Sequence, residues 1–258
     1  MPDWQPDLYL QFGKERTQPS IDLVARIDLT DPKRIIDIGC GPGNSTKVLQ
    51  ARWPQAKIVG LDNSEAMVAE ARTKYPDMTW LQAGASDDLS ELGTFDLVFS
   101  NAAIQWIPDQ ELLLPRLFGM LNTQGILAVQ VPCAKYMPLH IEQVKLAAAE
   151  KWKNRFENLT STYSVHTAGF YYDILCNLTK EIDLWETDYY HLMDTHADLV
   201  KWSSGSALRP YLECLQDASM IAEFCSEYEE ALKGVYPPQT DGKIILPFTR
   251  IFFIAKKA

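Results

Sequence analysis

A short glycine-rich turn constrains the fold of this chain more than any other stretch. Residues 37–43 read D-I-G-C-G-P-G, after an apolar run and before a segment with helical character. Glycines in such a strand–turn–helix unit allow backbone angles that other residues resist, and they let a ligand approach the main chain closely. The spacing is GxGxG, and Asn44 stands where the dinucleotide pattern GxGxxG needs its third glycine. The turn therefore predicts a small-molecule site and argues against a nicotinamide cofactor.

Composition and charge limit the class of protein. The chain has 258 residues, of which 47% are hydrophobic, which is enough for a large α/β domain with a buried core. The formal net charge of −10 argues against nucleic acid as the main partner, because phosphate binding usually needs a basic face. The five cysteines form no CxxC pair, so neither a disulfide framework nor a zinc site is expected. Without a signal-like start or a long apolar run, we expect a cytoplasmic protein that does not enter a membrane.

Short apolar strands alternate with helical patterns through the first half of the chain. Strands are predicted over residues 34–38, 57–61, 78–81, 95–100 and 126–131. Helices are predicted between them, including 64–74 with Ser64 as its N-cap and 109–121, after which Gly125 is expected to turn the chain into strand five. This alternation predicts a doubly wound, mostly parallel α/β sheet.

The rhythm changes after Pro132. Helices are predicted over residues 139–156, 168–177, 197–203 and 217–233, and strands over 181–192 and 243–255. The two strands complete a seven-stranded, Rossmann-like sheet, and residues 1–258 are interpreted as a single domain. Insertions at about 137–168 and 193–240 are expected to form a helical cap over the carboxyl ends of the strands, where such sheets bind ligands.

The pattern Asp-x-Gly-x-Gly-x-Gly at residues 37–43 resembles motif I of the class I methyltransferases, which use S-adenosylmethionine (AdoMet). The resemblance implies that Asp37 pairs with the methionine ammonium group, and that Gly39 and Gly41 pack against the amino-acid part of the cofactor. Asp62, at the end of strand two, would accept bonds from the ribose hydroxyls, with a helix-capping role as the alternative. The implied cofactor-binding set is Tyr9, Asp37, Gly39, Gly41, Asp62, Asn63, Met67, Ala83, Gly84, Ala85, Asn101, Ala102 and Trp106.

One position departs from the pattern of this class. Many members carry an aspartate after strand three that binds the adenine amino group, and this chain has Gly84 there. Main-chain groups near Ala85, or the Ser86 side chain, are therefore expected to hold the adenine.

Met67 is expected either against the adenine face or in the core. Trp106 either lines the methyl-transfer site or is a core aromatic.

Several stretches outside the glycine turn narrow the resemblance. They are residues 3–12 (D-W-Q-P-D-L-Y-L-Q-F), His166 with the following A-G-F-Y-Y-D-I-L, the segment around Arg209, and residues 247–255. With these the chain resembles the trans-aconitate 2-methyltransferase family, which esterifies one carboxylate of that small tricarboxylate to a monomethyl ester. A carboxylate with a pKa near ~4 is already an anion at neutral pH, so no general base is expected. We expect residues that only position the reactants, no metal, and S-adenosylhomocysteine (AdoHcy) as the product.

A tricarboxylate requires local positive charge, and the planar fork of arginine binds a carboxylate bidentately. Arg209, expected in a loop of small residues before Pro210, is the first candidate, with a solvated surface arginine as the alternative. His166 is equally compatible with a structural role. Aromatic residues near Tyr9 are expected to form a lid over the cofactor. The implied substrate-binding set is Arg16, Trp106, His166, Tyr171, Arg209 and Arg250.

Alternatives to this assignment stay open from the sequence. The glycine turn could be incidental. The same fold could act on another small acid, hydroxyl or amine, or could bind AdoMet without catalysis. A nicotinamide oxidoreductase is opposed by Asn44. We expect a monomer or a weak oligomer, with no nucleic acid or membrane as a partner.

Overall fold

A seven-stranded sheet organises the chain. The computed structural model describes residues 13–133, 136–159, 164, 166–215 and 217–258. The strands are β1 (Arg34–Ile38), β2 (Lys57–Asp62), β3 (Thr79–Gln82), β4 (Phe95–Asn101), β5 (Leu121–Pro132), β6 (Glu181–Met193) and β7 (Ile244–Lys256). They lie in the order β3-β2-β1-β4-β5-β7-β6, and β1 to β5 pair in parallel. The predicted doubly wound, mostly parallel sheet is confirmed.

The strand order reverses beside β1, and this reversal locates the site. Asp37 of β1 lies in register with Gly60 of β2 on one side and with Phe99 of β4 on the other. The connections leaving β1 and β4 therefore run to opposite sides of the sheet, which opens a crevice at the carboxyl ends of these strands. The crevice lies between the carboxyl end of β1 and the carboxyl end of β4.

The helices of the first half lie where the connections between strands require them. They are α1 (Gly13–Arg26), α2 (Asn44–Arg52), α3 (Glu65–Lys74) and α4 (Gln110–Gly119). The Ser64 side chain accepts a hydrogen bond from the Met67 N–H, so the predicted N-cap of α3 is confirmed. Helix α1 is not predicted from the sequence, because Pro19 and a mostly polar stretch obscure its helical period.

Strand β5 begins five residues earlier than predicted, and the predicted turn at Gly125 is wrong. Gly125 lies inside the strand, next to Gln124 with a φ of +63°. The register with β4 shifts between Phe95 and Leu97, so the extra residues form an irregularity within the strand. Lys257, directly after β7, exchanges main-chain hydrogen bonds with Gln124 and Gly125. The residues around Gly125 therefore form a bulge within β5, and the turn predicted there before the strand is not present.

The second half contributes α5 (Pro138–Ala147), α6 (Lys153–Phe156), α7 (Ala168–Leu175), α8 (His196–Ser204), α9 (Arg209–Leu215) and α10 (Ala218–Val235). The single helix predicted over residues 139–156 is wrong, because residues 148–152 form turns. Trp152 explains the break. Its indole N–H donates to Glu227 at 2.7 Å and its ring packs edge-on against Phe224, so contacts with α10 override the local helical pattern.

The described residues form two compact units. One contains residues 13–132, 166–186 and 251–258, and its core includes the fully buried Ile35, Val98 and Phe99. The other contains residues 133, 136–159, 164, 187–215 and 217–250, and its core includes Phe224 and Tyr228. Much of both predicted insertions falls within the second unit. No helix in the described part of the chain is both long and apolar enough to cross a membrane.

Candidate functional site

Each glycine of the turn after β1 has its own structural reason. Gly39, Gly41 and Gly43 all adopt left-handed φ angles, of +71°, +53° and +89°. A Cβ on Gly39 would lie 2.1 Å from the Cβ of Ala103, and one on Gly43 would lie 2.6 Å from the Trp80 ring. A Cβ on Gly41 would meet no described atom within 4 Å. Packing thus requires two of the glycines, whereas the described residues leave room beside Gly41 that a ligand can enter.

Asp37 is a fully buried carboxylate at the end of β1. Its Oδ2 accepts hydrogen bonds from the hydroxyls of Ser45 (2.7 Å) and Thr46 (2.6 Å) at the start of α2. Its Oδ1 is buried and has no hydrogen-bond partner among the described residues. Burial raises the pKa of Asp37 to about 6, against the lowering effect of the two hydroxyls and with a smaller contribution from Asp62. The open oxygen is an acceptor suited to a cationic group.

The end of β4 supplies two further buried acceptors. Asn101 Oδ1 and Gln105 Oε1 are buried and, within the described ranges, have no donor. Gln105 is held by its own amide N–H, which donates to the Ala102 carbonyl at 2.7 Å, and Ala102 has a φ of +53°. Asn101 and Ala102 belong to the predicted cofactor set, whereas Gln105 does not. A polar residue directly before Trp106 is the signal that could have found it.

Asp62 ends β2 and joins it to the glycine turn. Its Oδ2 accepts the Gly41 N–H and its Oδ1 accepts the Ser64 N–H, both at 2.9 Å. The helix N-cap itself is Ser64, so Asp62 supports the cap without being the cap. A carboxylate can accept about four hydrogen bonds, so it can bind a ribose hydroxyl in addition to main-chain N–H groups. Beside it Asn63 is exposed, whereas Met67 is buried in the core.

The turn after β3 contains three of the predicted residues. The Ala83 N–H donates to the Asp62 carbonyl at 3.0 Å, which places this turn against the end of β2. The Gly84 N–H donates to Asp87 Oδ2 at 2.7 Å, and the Asp87 N–H donates back to the Gly84 carbonyl at 3.0 Å. Ala85 is half-buried, and Ser86 is exposed. The structure thus links Gly41, Asp62 and Ala83 into one continuous edge.

Trp106 lies half-buried in a short 3-10 helix, Ile104–Trp106, that follows β4. Gln110 supports this turn, because its amide N–H donates to the Ile104 carbonyl at 3.0 Å. The hydroxyl of Tyr171 donates to the Gln110 side-chain oxygen at 2.8 Å, and Tyr171 is fully buried. Tyr171 therefore packs behind the turn that carries Trp106.

The remaining substrate candidates lie in different surroundings. In the first unit, His166 stacks on Phe170 with ring centroids 3.7 Å apart, and Arg16 is buried on α1. In the second unit, Arg250 is buried on β7 with its guanidinium 4.7 Å from the centre of the Phe248 ring. Tyr9 lies outside the described residues.

Arg209 is the first residue of α9, so its predicted loop position is wrong. Proline is tolerated in the first turn of a helix, and Pro210 therefore does not prevent the helix from starting there. Arg209 Nε donates to Glu213 Oε1 at 2.6 Å, and the arginine side chain is only 16% exposed. The ion pair fixes the direction of the guanidinium.

The titratable side chains of the described ranges offer no group of three or more His, Cys, Asp or Glu residues suited to a metal ion. The chemistry that the first unit does offer is a set of buried oxygen acceptors beside an open glycine main chain.

Comparison with known proteins agrees with this geometry. Residues 35–125 match a family model described as a methyltransferase domain. Two proteins named trans-aconitate 2-methyltransferase, from Escherichia coli O157:H7 (strain EC4115 / EHEC) and Enterobacter sp. (strain 638), are 41% and 40% identical to this chain over 257 residues. The alignments cover 100% of this chain and 99% of each relative.

Solved structures are similar in fold. The YcgJ protein from Bacillus subtilis has a TM-score of 0.60 and 16% identity, covering 93% of this chain and 98% of that chain. Haemonchus contortus phosphoethanolamine N-methyltransferase 2, in complex with phosphomonomethylethanolamine and S-adenosylhomocysteine, has a TM-score of 0.57 and 15% identity, covering 93% of this chain and 53% of that chain.

Proposed function

The chain belongs to the trans-aconitate 2-methyltransferase family, and we propose that it transfers the methyl group of AdoMet to one carboxylate of trans-aconitate. The product is a monomethyl ester, with AdoHcy as the second product. The observation that carries this proposal is the match to relatives of that name along the whole chain. The glycine turn alone would support only the cofactor.

Residues of the first unit fit the methionine part of AdoMet. Its ammonium group needs buried acceptors, and Asp37 Oδ1, Asn101 Oδ1 and Gln105 Oε1 meet that need. A Cβ on Gly41 would meet no atom of the described residues within 4 Å, which leaves room for the amino-acid part to approach. The positive charge of the ammonium group also offsets the cost of keeping the Asp37 carboxylate charged in a buried position.

The strand order supports the placing of the rest of the cofactor. From β4 through β1 and β2 to β3, the strands carry the ammonium acceptors, the glycine turn, Asp62 and the turn at Gly84. Neighbouring strands are about 4.8 Å apart. The order of these binding groups along the sheet edge therefore matches the order of methionine, ribose and adenine in AdoMet. The proposed cofactor set has Asn63, Ala83, Gly84 and Ala85 toward the adenine, and Ala102 and Trp106 toward the methyl group. A contact of Met67 with the adenine stays a prediction, since Met67 is buried in the core.

Bound AdoMet supplies a methyl group on a positively charged sulfur, which is a strong electrophile. The residues of the chain need not generate a base, because a carboxylate with a pKa near ~4 is already charged. Their role is to orient the carboxylate and to exclude water. Trp106, on a turn braced by Gln110 and Tyr171, is suited to form a wall of the transfer site. A direct contact of Tyr171 with the substrate stays a prediction, and its hydrogen bond supports a positioning role.

Arginines are the proposed ligands of the substrate carboxylates. Arg209 is the first of them, because Glu213 orients its guanidinium and little of the side chain is exposed. Arg16 and Arg250 are buried cations, and buried guanidinium groups bind anions strongly. His166 is assigned as a hydrogen-bond donor whose ring is held by stacking on Phe170.

A panel of small acids with methyl-labelled AdoMet tests the proposal. Trans-aconitate should accept label, and saturated tricarboxylates should be poorer substrates. Arg209→Ala should raise the KM for trans-aconitate about tenfold or more, because a charged contact to the substrate is lost, and leave AdoHcy affinity within about twofold. The substitution also removes the ion pair with Glu213. Arg155→Ala, an exposed arginine on α6 in the same unit, is the control and should behave like the wild type.

Two outcomes would contradict the proposal. A panel in which no tricarboxylate accepts label removes the substrate assignment. An Arg209→Ala protein that loses AdoHcy affinity and trans-aconitate affinity equally indicates that the arginine only maintains the fold.

A further inference from the structure

The turn after β3 holds a carboxylate close to a position that has no side chain. A Cβ placed on Gly84 would lie 3.1 Å and 3.2 Å from the two carboxylate oxygens of Asp87, and 3.3 Å from its Cγ. The first side-chain bond of an aspartate at position 84 would extend about 1.5 Å beyond that Cβ. The Asp87 carboxylate therefore lies in the space that the carboxylate of such an aspartate would reach.

Hydrogen bonds hold this carboxylate in place. Asp87 Oδ2 accepts the Gly84 N–H at 2.7 Å, and the Asp87 N–H donates to the Gly84 carbonyl. Arg116 of α4 anchors the main chain of the turn by donating to the carbonyls of Ser86 (3.0 Å) and Asp87 (2.6 Å). Asp87 Oδ1 accepts no hydrogen bond from the part of the chain that the structure describes. One oxygen thus fixes the side chain and the other keeps its acceptor capacity.

The turn lies one strand beyond the proposed ribose ligand. β3 pairs with β2 in parallel, and the Ala83 N–H donates to the Asp62 carbonyl, so the two strand ends are adjacent. A nucleoside whose ribose is held at Asp62 presents its base toward this turn. The 6-amino group of adenine is a donor that a carboxylate oxygen can accept, whereas a 6-oxo group would repel it.

We propose that Asp87 Oδ1 accepts a hydrogen bond from the 6-amino group of the adenine of the cofactor, and that it selects adenine over 6-oxopurines. The inference rests on the proposed function, since it requires AdoMet to lie along β1, β2 and β3. Gly84 has no side chain, and Asp87 supplies the carboxylate in its place. The expected main-chain contacts near Ala85 are compatible with it.

Isothermal titration calorimetry on the full chain tests this assignment with two ligands, AdoHcy and its 6-oxo analogue S-inosylhomocysteine. The wild type should prefer AdoHcy by about tenfold or more, the loss typical of a missing charged hydrogen bond. Asp87→Ala should weaken AdoHcy binding by a similar factor and leave the binding of the 6-oxo analogue unchanged or stronger. Asp88→Ala is the control, because Asp88 is exposed like Asp87, but its Oδ1 accepts the Ser90 N–H and its side chain does not bind the Gly84 N–H.

A reciprocal variant separates a ligand contact from a structural role. In the double variant Gly84→Asp/Asp87→Ala, residue 84 carries the carboxylate in place of residue 87. Truncation of Asp87 also removes the atoms that a Cβ at residue 84 would approach. This double variant should recover AdoHcy affinity to within about threefold of the wild type, because the acceptor is restored. Gly84→Asp alone should bind AdoHcy more weakly than the double variant, because two carboxylates then share one space.

The outcomes distinguish this inference from the proposed function. An Asp87→Ala protein that weakens both ligands by the same factor, or that keeps the wild-type preference, overturns the role of Asp87 alone. A wild-type chain that binds neither ligand overturns the proposed function and the inference with it.

Discussion

Asp37→Asn is expected to stabilise the protein at neutral pH while weakening the binding of AdoMet and AdoHcy. Burial raises the pKa of Asp37 from its ordinary value of 3.8 to about 6 in the folded chain. At about 1.36 kcal/mol for each pH unit, keeping the buried carboxylate charged at neutral pH costs about 3 kcal/mol relative to the unfolded chain. Asparagine carries no charge, and its amide oxygen can still accept the hydroxyls of Ser45 and Thr46. Its buried NH2 group costs about 1–3 kcal/mol if unpaired, so the net gain is about 1 kcal/mol.

The pH dependence isolates the charge from the other effects of the substitution. Folded Asp37 holds its proton more tightly than the unfolded chain does, so its contribution to stability is greatest below pH 3.8 and is lost as the pH rises through about 6. The substituted residue does not titrate. The unfolding free energy of the variant minus that of the wild type should therefore increase by up to about 3 kcal/mol from pH about 4 to pH about 7.5.

Urea unfolding followed by tryptophan fluorescence, at several pH values in this range, measures that difference. Asp96→Asn is the control, and its effect on stability at neutral pH should have the opposite sign. Asp96 is partly desolvated, but hydrogen bonds from the Arg34 and Lys33 N–H groups and from the Asn122 side chain lower its pKa. Its loss should therefore reduce stability at neutral pH. An Asp37→Asn protein whose stability difference from the wild type stays constant with pH would refute the reasoning about the buried charge.

Three further predictions concern the same site. The affinity of the wild type for AdoHcy, measured by calorimetry, should fall by up to about tenfold from pH about 6 to pH about 5, because Asp37 must lose its proton to pair with the ammonium group. An affinity that does not change with pH would contradict that pairing. Gly39→Ala should lower the unfolding free energy by about 2–5 kcal/mol, since its Cβ would meet Ala103 at 2.1 Å. Gly41→Ala should cost only about 1–2 kcal/mol yet abolish AdoHcy binding, and a Gly41→Ala protein that binds normally would show that the ligand does not approach there.

The first half of the fold could be predicted because its signals are local. The apolar strands β1, β2 and β4 lie within one residue of their predicted bounds at each end. Ser64 caps α3 as the sequence indicates, because a cap depends on residues only three positions apart. The GxGxG spacing also identified correctly a turn with three left-handed glycines. Local chemistry and tertiary structure agree in this region.

The errors arise where distant residues decide the local structure. Trp152 breaks the helix predicted over residues 139–156 because its indole binds Glu227, which lies 75 positions further along the chain. Gly125 lies within β5, where pairing with β4 and contacts to Lys257 hold the backbone. Arg209 begins a helix in spite of the neighbouring proline. None of these contacts is visible in a window of adjacent residues.

The geometry of the candidate site was predictable in part for the same reason. Asp37 and Asp62 follow directly from their positions at strand ends. Gln105 does not, because its unpaired oxygen becomes evident only when its burial and its bond to Ala102 are known. Asp87 gains its importance only from its distance to the missing side chain of Gly84.

Product analysis tests the central proposal most directly. The chain would be incubated with trans-aconitate and AdoMet carrying a labelled methyl group, and the product would be identified by mass spectrometry and NMR. Each trans-aconitate should gain one methyl group on a carboxylate oxygen, and alkaline hydrolysis should release that group as methanol. Absence of label in trans-aconitate, or label in a bond that resists alkaline hydrolysis, would contradict it.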